Sequence, residues 1–283
     1  MLYHRLLSDE PEGWFVKAFD EELFTDQSKL EEAKRYLEKE YRMYEHLHRH
    51  GFKHIPKQFF HERDVLLLGA YKASEGWYWR HPRGDESDRY IRETLAALRT
   101  LESIPHHQLF ADEPTLAYFW QHGWANPDEV VRYLDKAEKR WKDQLNDANL
   151  CTIKKLRRFG HHHKLTSQPI ATTPTTSHHD ARQSNIAWHP RAGVIVVDWS
   201  WAGAGLEKAD TTMFLIDLHK SGIDVGDYLA EFFNAEYASL MMAYWIMRFG
   251  KVTAGGNEKV RLHQFLSALG AFELLESYGS AAA

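Results

Sequence analysis

The apolar residues of this chain change their period near Ser87. Through roughly the first seventy residues they fall in short alternating runs around one amphipathic helix, and from Ser87 onward they recur at intervals of three and four. Alternation sends successive side chains to opposite faces of a strand, whereas a period near 3.6 marks one face of a helix. A chain patterned in this way is expected to form a small antiparallel sheet and then a larger, mainly helical body. The expected class is α+β, divided after Gly69 into residues 1–69 and 70–283.

Tyr3 to Leu7 and Trp14 to Phe19 flank Ser8-Asp9-Glu10-Pro11-Glu12-Gly13, whose proline, glycine and acids suit the turn of a hairpin. A helix is predicted from Ser28, with Ser28 and Glu31 as a capping box, to Gly51 in the left-handed C-terminal position. Leu30, Ala33, Leu37, Tyr44 and Leu47 share one face of it, and Glu40 takes the remaining place in that series. Lys57 to His61 and Val65 to Leu68 read as two more strands around Glu62-Arg63-Asp64. Further on, Tyr90, Ile91, Leu95, Leu98 and Leu101 define one helix. Asn126-Pro127-Asp128-Glu129 opens another, carrying Val130, Val131, Leu134, Ala137 and Trp141. His161 to Thr176 reads as loop or short strand, and Ile186 to Trp188 with Val194 to Val197 as a second hairpin around His189 to Gly193. Thr211 to Lys220, Asp227 to Phe249 and Glu258 to Glu276 are predicted helices.

Composition narrows the function classes. With 283 residues, 43% of them apolar and 27% charged, the chain can bury a sizeable core. A net charge of -5 argues against nucleic acid as the main partner. Cys151 is the one cysteine, so no disulfide framework forms, and Met1 to Glu10 carries no signal-type apolar stretch. The most apolar run, Ala192 to Leu206, contains Asp198 and falls short of the roughly 18 to 20 residues a spanning helix needs. A cytoplasmic protein without membrane or nucleic-acid partners is expected.

Chemistry concentrates in His178-His179-Asp180-Ala181-Arg182-Gln183-Ser184-Asn185, which fits H-x-D-x-x-x-x-N, the catalytic-loop pattern of the protein-kinase fold. The strand Val194-Ile195-Val196-Val197 that follows ends in Asp198-Trp199. Phosphoryl transfer from ATP needs a carboxylate to accept or orient the acceptor hydroxyl, here Asp180. It also needs hard oxygen ligands for Mg²⁺, here Asn185 and Asp198. A hairpin turning through Pro190 and Gly193 would bring Asp198 beside Asn185. Singly, such residues usually cap turns; their combination at this spacing points to a metal–nucleotide site. Lys17 supplies an independent sign, since it interrupts the strand face of Phe15 and Phe19 while Glu40 interrupts the buried stripe of the next helix. Two opposite charges pointing inward call for each other as partners, the arrangement by which kinases anchor phosphate.

From about Trp14 to Asp210 the sequence resembles the aminoglycoside phosphotransferase and choline kinase-like family, which phosphorylates small-molecule hydroxyls on a protein-kinase-like fold. The resemblance rests on Val16-Lys17, the helix end from Glu40 to Gly51, Val65 to Leu68 leading to Gly69-Ala70, the H-x-D-x-x-x-x-N loop and Val-Val-Asp-Trp. It implies a hinge at Gly69 and Ala70, nucleotide contacts by Lys17 and Glu40, ATP and Mg²⁺ as cofactors, and Asp210 as a brace for the catalytic loop. His179 stands where the family commonly has glycine, and Arg182 where it often has His or Arg. Ser8 to Gly13 holds one glycine, so the phosphate-covering loop is expected to be shortened or missing.

The leading expectation is a small-molecule kinase with a hydroxyl-bearing acceptor; the alternative is a kinase-fold protein that binds nucleotide or a protein partner without turnover. Two groups stay outside that reading. His46, His48, His50 and His54, with the run His161-His162-His163, read as solvated faces more readily than as a Zn or Ni site. Trp77, Tyr78, Trp79, Trp120 and Trp124, near Asp85, Glu86, Asp112 and Glu113, suit core packing or a cationic acceptor.

Overall fold

The computed structural model describes residues 2–6, 13–19, 21, 26–106, 108–110, 115–162, 175–250 and 258–281. The chain divides into two units, Met1–Glu113 with Pro174–Gly203, and Pro114–Thr173 with Ala204–Ala283.

In the first unit β1 (Leu2–Leu6), β2 (Trp14–Phe19), β3 (Phe59–Glu62) and β4 (Val65–Gly69) form an antiparallel sheet in the order β1-β2-β4-β3. The expected hairpin forms with Leu2 opposite Phe19 and Leu6 opposite Phe15, its first strand starting at Leu2 where Tyr3 was expected, while its turn at Ser8 to Glu12 lies outside the described residues. β3 begins at Phe59 and not at Lys57, because the Lys57 N–H donates to the Tyr71 hydroxyl (3.2 Å) instead of a strand partner. Arg63 turns the β3–β4 connection with φ 53°.

Helix α1 (Gln27–Arg49) buries Leu30, Leu37, Glu40, Met43, Tyr44 and Leu47. Its N-cap is Asp26, whose carboxylate accepts from the Ser28 N–H at 3.0 Å and the Ser28 hydroxyl at 2.7 Å. The expected Ser28–Glu31 box does not form; Glu31 accepts instead from Gln27 Nε2 at 2.8 Å. An ionised carboxylate is the stronger acceptor for unsatisfied helix N–H groups, so Asp26 displaces the hydroxyl. At the other end Gly51, at φ 73°, donates to the His48 carbonyl, and Phe52 donates to that of Leu47 (both 3.0 Å). This paired closure requires a left-handed residue, and glycine enters that region without a Cβ clash.

The rest of the unit comprises α2 (Glu86–Leu101), with the expected Tyr90, Ile91, Leu95, Leu98 and Leu101 buried, β5 (Thr175–Ser177), and a hairpin of β6 (Ile186–His189) and β7 (Gly193–Val196). Gly193 turns that hairpin at φ 84° and sets Ile186 opposite Val196.

The second unit is helical: α3 (Leu116–Gln121), α4 (Pro127–Arg140), α5 (Asp147–His162), α6 (Ala209–Lys220), α7 (Gly226–Phe232), α8 (Ala235–Gly250) and α9 (Glu258–Ala281). Every residue from 237 to 247 of α8 is buried, as expected of a helix enclosed by α3, α4, α6 and α9. The predicted helix from Asp227 to Phe249 is two helices. Phe233 is extended, and Asn234 caps α8 by accepting from the Tyr237 N–H (2.9 Å) while its own N–H donates to the Thr212 hydroxyl (2.7 Å). Phe233 is buried on the far side of the break, so the apolar pattern ran on through it. Helices α3 and α5 were not anticipated; α3 has only six residues, and α5 buries the narrow stripe Thr152, Ile153 and Leu156.

Helices α3 and α8 meet closely at Gly123, just past α3. A Cβ there would lie 3.0 Å from the Phe119 carbonyl oxygen and 3.0 Å from the Tyr244 nitrogen, both backbone atoms that cannot rotate away. Gly123→Ala should therefore destabilise the protein by about 1–3 kcal/mol in chemical denaturation, the range for an overpacked core. Gly69→Ala should be nearly neutral, since its nearest atom would be at 3.8 Å.

Candidate active site

Within the first unit Lys17 is the buried member of β2, set opposite Leu66 of β4. Its ammonium donates to both oxygens of Glu40, at 2.9 and 2.7 Å, and to Asp198 Oδ1 at 3.2 Å. Glu40 is 2% exposed and also accepts from the Tyr44 hydroxyl at 3.0 Å. Burial pulls the Lys17 ammonium down, but the Glu40 and Asp198 carboxylates outweigh it and hold its pKa above the ordinary lysine value. For Glu40 burial pushes upward and Lys17 opposes it. The pair that the interrupted stripes required is present.

The β6–β7 hairpin brings the two expected metal ligands together. The Val197 N–H donates to the Asn185 carbonyl at 2.9 Å, extending the ladder so that Asp198 leaves the strand beside Asn185. Asp198 is left-handed, at φ 67° and ψ 60°. Lys17 and the Ser200 hydroxyl both donate to its Oδ1, each at 3.2 Å, leaving Oδ2 without a partner among the described residues. Burial would raise this carboxyl, but Lys17 beside it holds it below the usual carboxylate range.

The catalytic-loop residues are set by His178. Its Nδ1 accepts from the Asp180 N–H at 3.1 Å, so its Nε2 carries the proton and donates to the Val197 carbonyl at 2.9 Å. Burial lowers its pKa to about 4, and the ring stays neutral against Trp199. His179 is left-handed at φ 59°, which accounts for the glycine common at this position in the family it resembles. Asn185 Nδ2 donates to the Asp180 carbonyl and to its Oδ2, both at 2.9 Å, and Arg182 lies 3.1 Å from the same Oδ2. Asp180 Oδ1 has no partner among the described residues. Burial raises the Asp180 carboxyl to about 6, with Arg182 opposing.

Lys17, Asn185 and Asp198 form the polar end of a cavity of about 480 Å³ whose apolar wall is Phe15, Leu68 and Val197. Gly69 and Ala70 border it, followed by Tyr71, Lys72 and Trp79. The Gly69 N–H donates to the Gln58 carbonyl and the Ala70 N–H to that of Gly13, both at 2.9 Å, so both are committed to the protein itself. The donors suit Mg²⁺: among the described residues, the Asp180 carboxylate turns the Asn185 amide so that Oδ1 keeps only a 3.4 Å contact with Ser184, and Asp198 Oδ2 has no partner. Mg²⁺ commonly takes one or two such protein oxygens and completes its shell with phosphates and water.

Of the remaining candidates, Trp79 borders this cavity. Among the described residues no group of three or more His, Cys, Asp or Glu could hold a metal ion. His50 Nδ1 pairs with the His46 carbonyl at 2.9 Å and His54 Nδ1 with that of Val194 at 3.1 Å, while the side chains of His161 to His163 lie outside the described set. Trp124 is a buried member of the second unit, donating to the Ser239 carbonyl at 2.8 Å. Trp79 donates to the Tyr71 carbonyl at 2.7 Å at the cavity wall, and Trp77 packs on Tyr71. Asp112 and Glu113 are outside the described residues, and Asp210 is buried in the first turn of α6 in the second unit. Tyr44 and Ser200, which contact the charged cluster, were not singled out; Tyr44 read only as an apolar stripe position, although a buried tyrosine hydroxyl needs a partner.

Residues 9–243 match APH, the phosphotransferase enzyme family, and the chain belongs to it. No curated protein sequence matches. Solved structures similar to this chain include the choline kinase LicA from Streptococcus pneumoniae, at TM-score 0.56 and 10% identity over 95% of this chain and 89% of that one. The AMP-bound spectinomycin phosphotransferase APH(9)-Ia matches at TM-score 0.54 and 11% identity, covering 97% and 90%. The ADP-bound aminoglycoside phosphotransferase APH(2'')-Ib matches at 0.53 and 14%, covering 96% and 94%. The fold is protein-kinase-like, and the chain is a phosphotransferase. Among the described residues no helix is long and apolar enough to cross a membrane.

The Lys17–Glu40 contact generates a double-mutant cycle. Lys17→Met or Glu40→Leu alone should cost about 3–5 kcal/mol, because each strands a buried charge, and the double variant should cost well under the sum. Denaturant titration of the four proteins measures the coupling; additive costs would mean the contact contributes nothing.

Proposed function

We propose that this protein transfers the γ-phosphate of ATP to a hydroxyl of a small molecule with the help of Mg²⁺. The observation that carries the reading is Asp180 Oδ1, without a partner among the described residues, on a loop whose Asn185 also adjoins Asp198 and the Lys17–Glu40 pair. In this reading residues 1–69 serve as the nucleotide-binding lobe and 70–283 carry the catalytic loop and acceptor site. The purine would lie against Phe15, Leu68 and Val197 beside the hinge at Gly69 and Ala70, and the phosphates would approach Lys17. Lys17 already makes three contacts, of which the 3.2 Å bond to Asp198 is the longest and the one a phosphate oxygen would replace. Asn185 and Asp198 would hold Mg²⁺, which neutralises charge developing on the transferred group. Asp180 accepts the hydroxyl proton through Oδ1 while Asn185 and Arg182 keep Oδ2 in place. A carboxylate poised in this way favours turnover over a nucleotide-binding protein without activity.

For the acceptor we favour a cationic alcohol. Choline, spectinomycin and aminoglycosides, the compounds named for the similar structures, are of that class. The test is acceptor-dependent ADP release across amino alcohols, amino sugars, neutral sugars and nucleosides. Cationic hydroxylated compounds should stimulate release most, and the effect should weaken with added salt as the Debye length shortens. Turnover with neutral acceptors alone would overturn the acceptor class; no Mg²⁺-dependent release with any of them would overturn the activity.

Asp180 sets the pH dependence. The carboxyl must be ionised to accept a proton, so kcat/KM should fall as pH drops through about 6. Because this folded-state value lies above the ordinary one of 3.8, the native state holds the proton more tightly than the unfolded chain, and the group's contribution to stability is lost as pH rises through that window. Asp180→Asn should lower kcat by roughly 100-fold or more and leave nucleotide affinity nearly unchanged. It should also flatten the change in stability between those two pH values, which denaturation at several pH values would read.

A further inference from the structure

Tyr44 sits where α1, the hairpin end and the charged cluster meet, and it is fully buried. It follows Glu40 by one helical turn, so the two side chains lie one above the other, and its ring stacks on Phe59 at 5.4 Å and 29°. The ring position is thus fixed by packing. The direction of the hydroxyl proton is fixed by its neighbours. The Glu40 carboxylate can only accept and the Asp198 N–H can only donate, so the hydroxyl donates to Glu40 at 3.0 Å and accepts from Asp198 at 3.4 Å.

Asp198 needs such a contact. A residue with a Cβ seldom stays in the left-handed region unless its surroundings hold it there. Its carboxylate is tied through Oδ1 to Lys17 and Ser200, and its backbone N–H meets Tyr44. The peptide joining Val197 to Asp198 is held at its carbonyl by His178 (2.9 Å) and at its N–H by Tyr44, and turning it would swing Oδ2 away from Asn185. We propose that the Tyr44 hydroxyl is a positioning group that locks the Asp198 backbone so that Oδ2 is presented beside Asn185. The assignment rests on reading Asp198 as a Mg²⁺ ligand.

Tyr44→Phe removes only the hydroxyl and keeps the ring on Phe59. The Mg²⁺ concentration giving half-maximal nucleotide binding should rise about 10-fold or more, as when a group supporting a metal ligand is lost, while Mg²⁺-free nucleotide affinity stays within about twofold. The ligand-free protein gives a second measurement: the Asp198 amide should shift in the NMR spectrum and exchange its hydrogen faster. An unchanged Asp198 amide, or a lowered Tm with an unchanged Mg²⁺ titration, would overturn the proposal. A parent protein whose nucleotide affinity ignores Mg²⁺ would overturn the ligand reading of Asp198 beneath it, and that result appears without the variant.

Discussion

Lys17 and Glu40 are two charges removed from water in the middle of a small sheet–helix contact, and the surrounding structure follows from making that burial tolerable. Desolvating either ion alone costs several kcal/mol, roughly 3–5 by the effect of breaking such pairs. The strand must therefore present the ammonium at one height, and α1 must arrive with its third buried turn at the same height. Both Glu40 oxygens accept from Lys17, and Tyr44 adds a third hydrogen bond. Lys17 also donates to Asp198 and holds that carboxyl in the ionised form. The arrangement keeps a charged anchor at the end of an otherwise apolar cavity.

The H-x-D-x-x-x-x-N loop and the hairpin after it solve a related problem by a different route. Their carboxylates are separated in ionisation by neighbouring groups. Asp198 lies against an ammonium and stays low, whereas the half-buried Asp180 has a partly exposed guanidinium and the neutral Asn185 amide as partners, and loss of water around it raises it to about 6. His178 stays neutral and acts as a spacer, accepting from the Asp180 N–H and donating to the Val197 carbonyl. The loop and the hairpin are thereby fastened through backbone atoms, and among the described residues Asp180 Oδ1 and Asp198 Oδ2 stay open. Strain accompanies this: His179 and Asp198 both sit in the left-handed region, at about 1–2 kcal/mol each for residues with a Cβ. Such conformations persist where surrounding contacts over-determine them.

Much of this was legible in the residues. The change of period gave the sheet, α1, α2 and α4, and the break in α1's stripe at Glu40 pointed to Lys17 because a buried charge demands a partner. The H-x-D-x-x-x-x-N spacing and the strand ending at Asp198 located the loop and hairpin. What escaped had local causes. Asp26 took the cap from Ser28, and Asn234 divided a helix whose apolar pattern continued through Phe233. Trp124 looked like a candidate for ligand contact because aromatic residues serve cores and sites equally well; only its bond to Ser239 placed it inside the helical unit.

The sequence by itself determined which residue types were available and at what spacing: an inward lysine, an inward glutamate, a loop carboxylate and a strand-end carboxylate. The tertiary structure decided which oxygen of each carboxylate is used and which is left open, how the Asn185 amide is turned, and that Tyr44 touches both Glu40 and Asp198. Those outcomes depend on hydrogen-bond directions between residues 154 positions apart, as for Tyr44 and Asp198. Periodicity reports only which face a side chain occupies, so the partner of a polar atom on that face is settled when the elements pack.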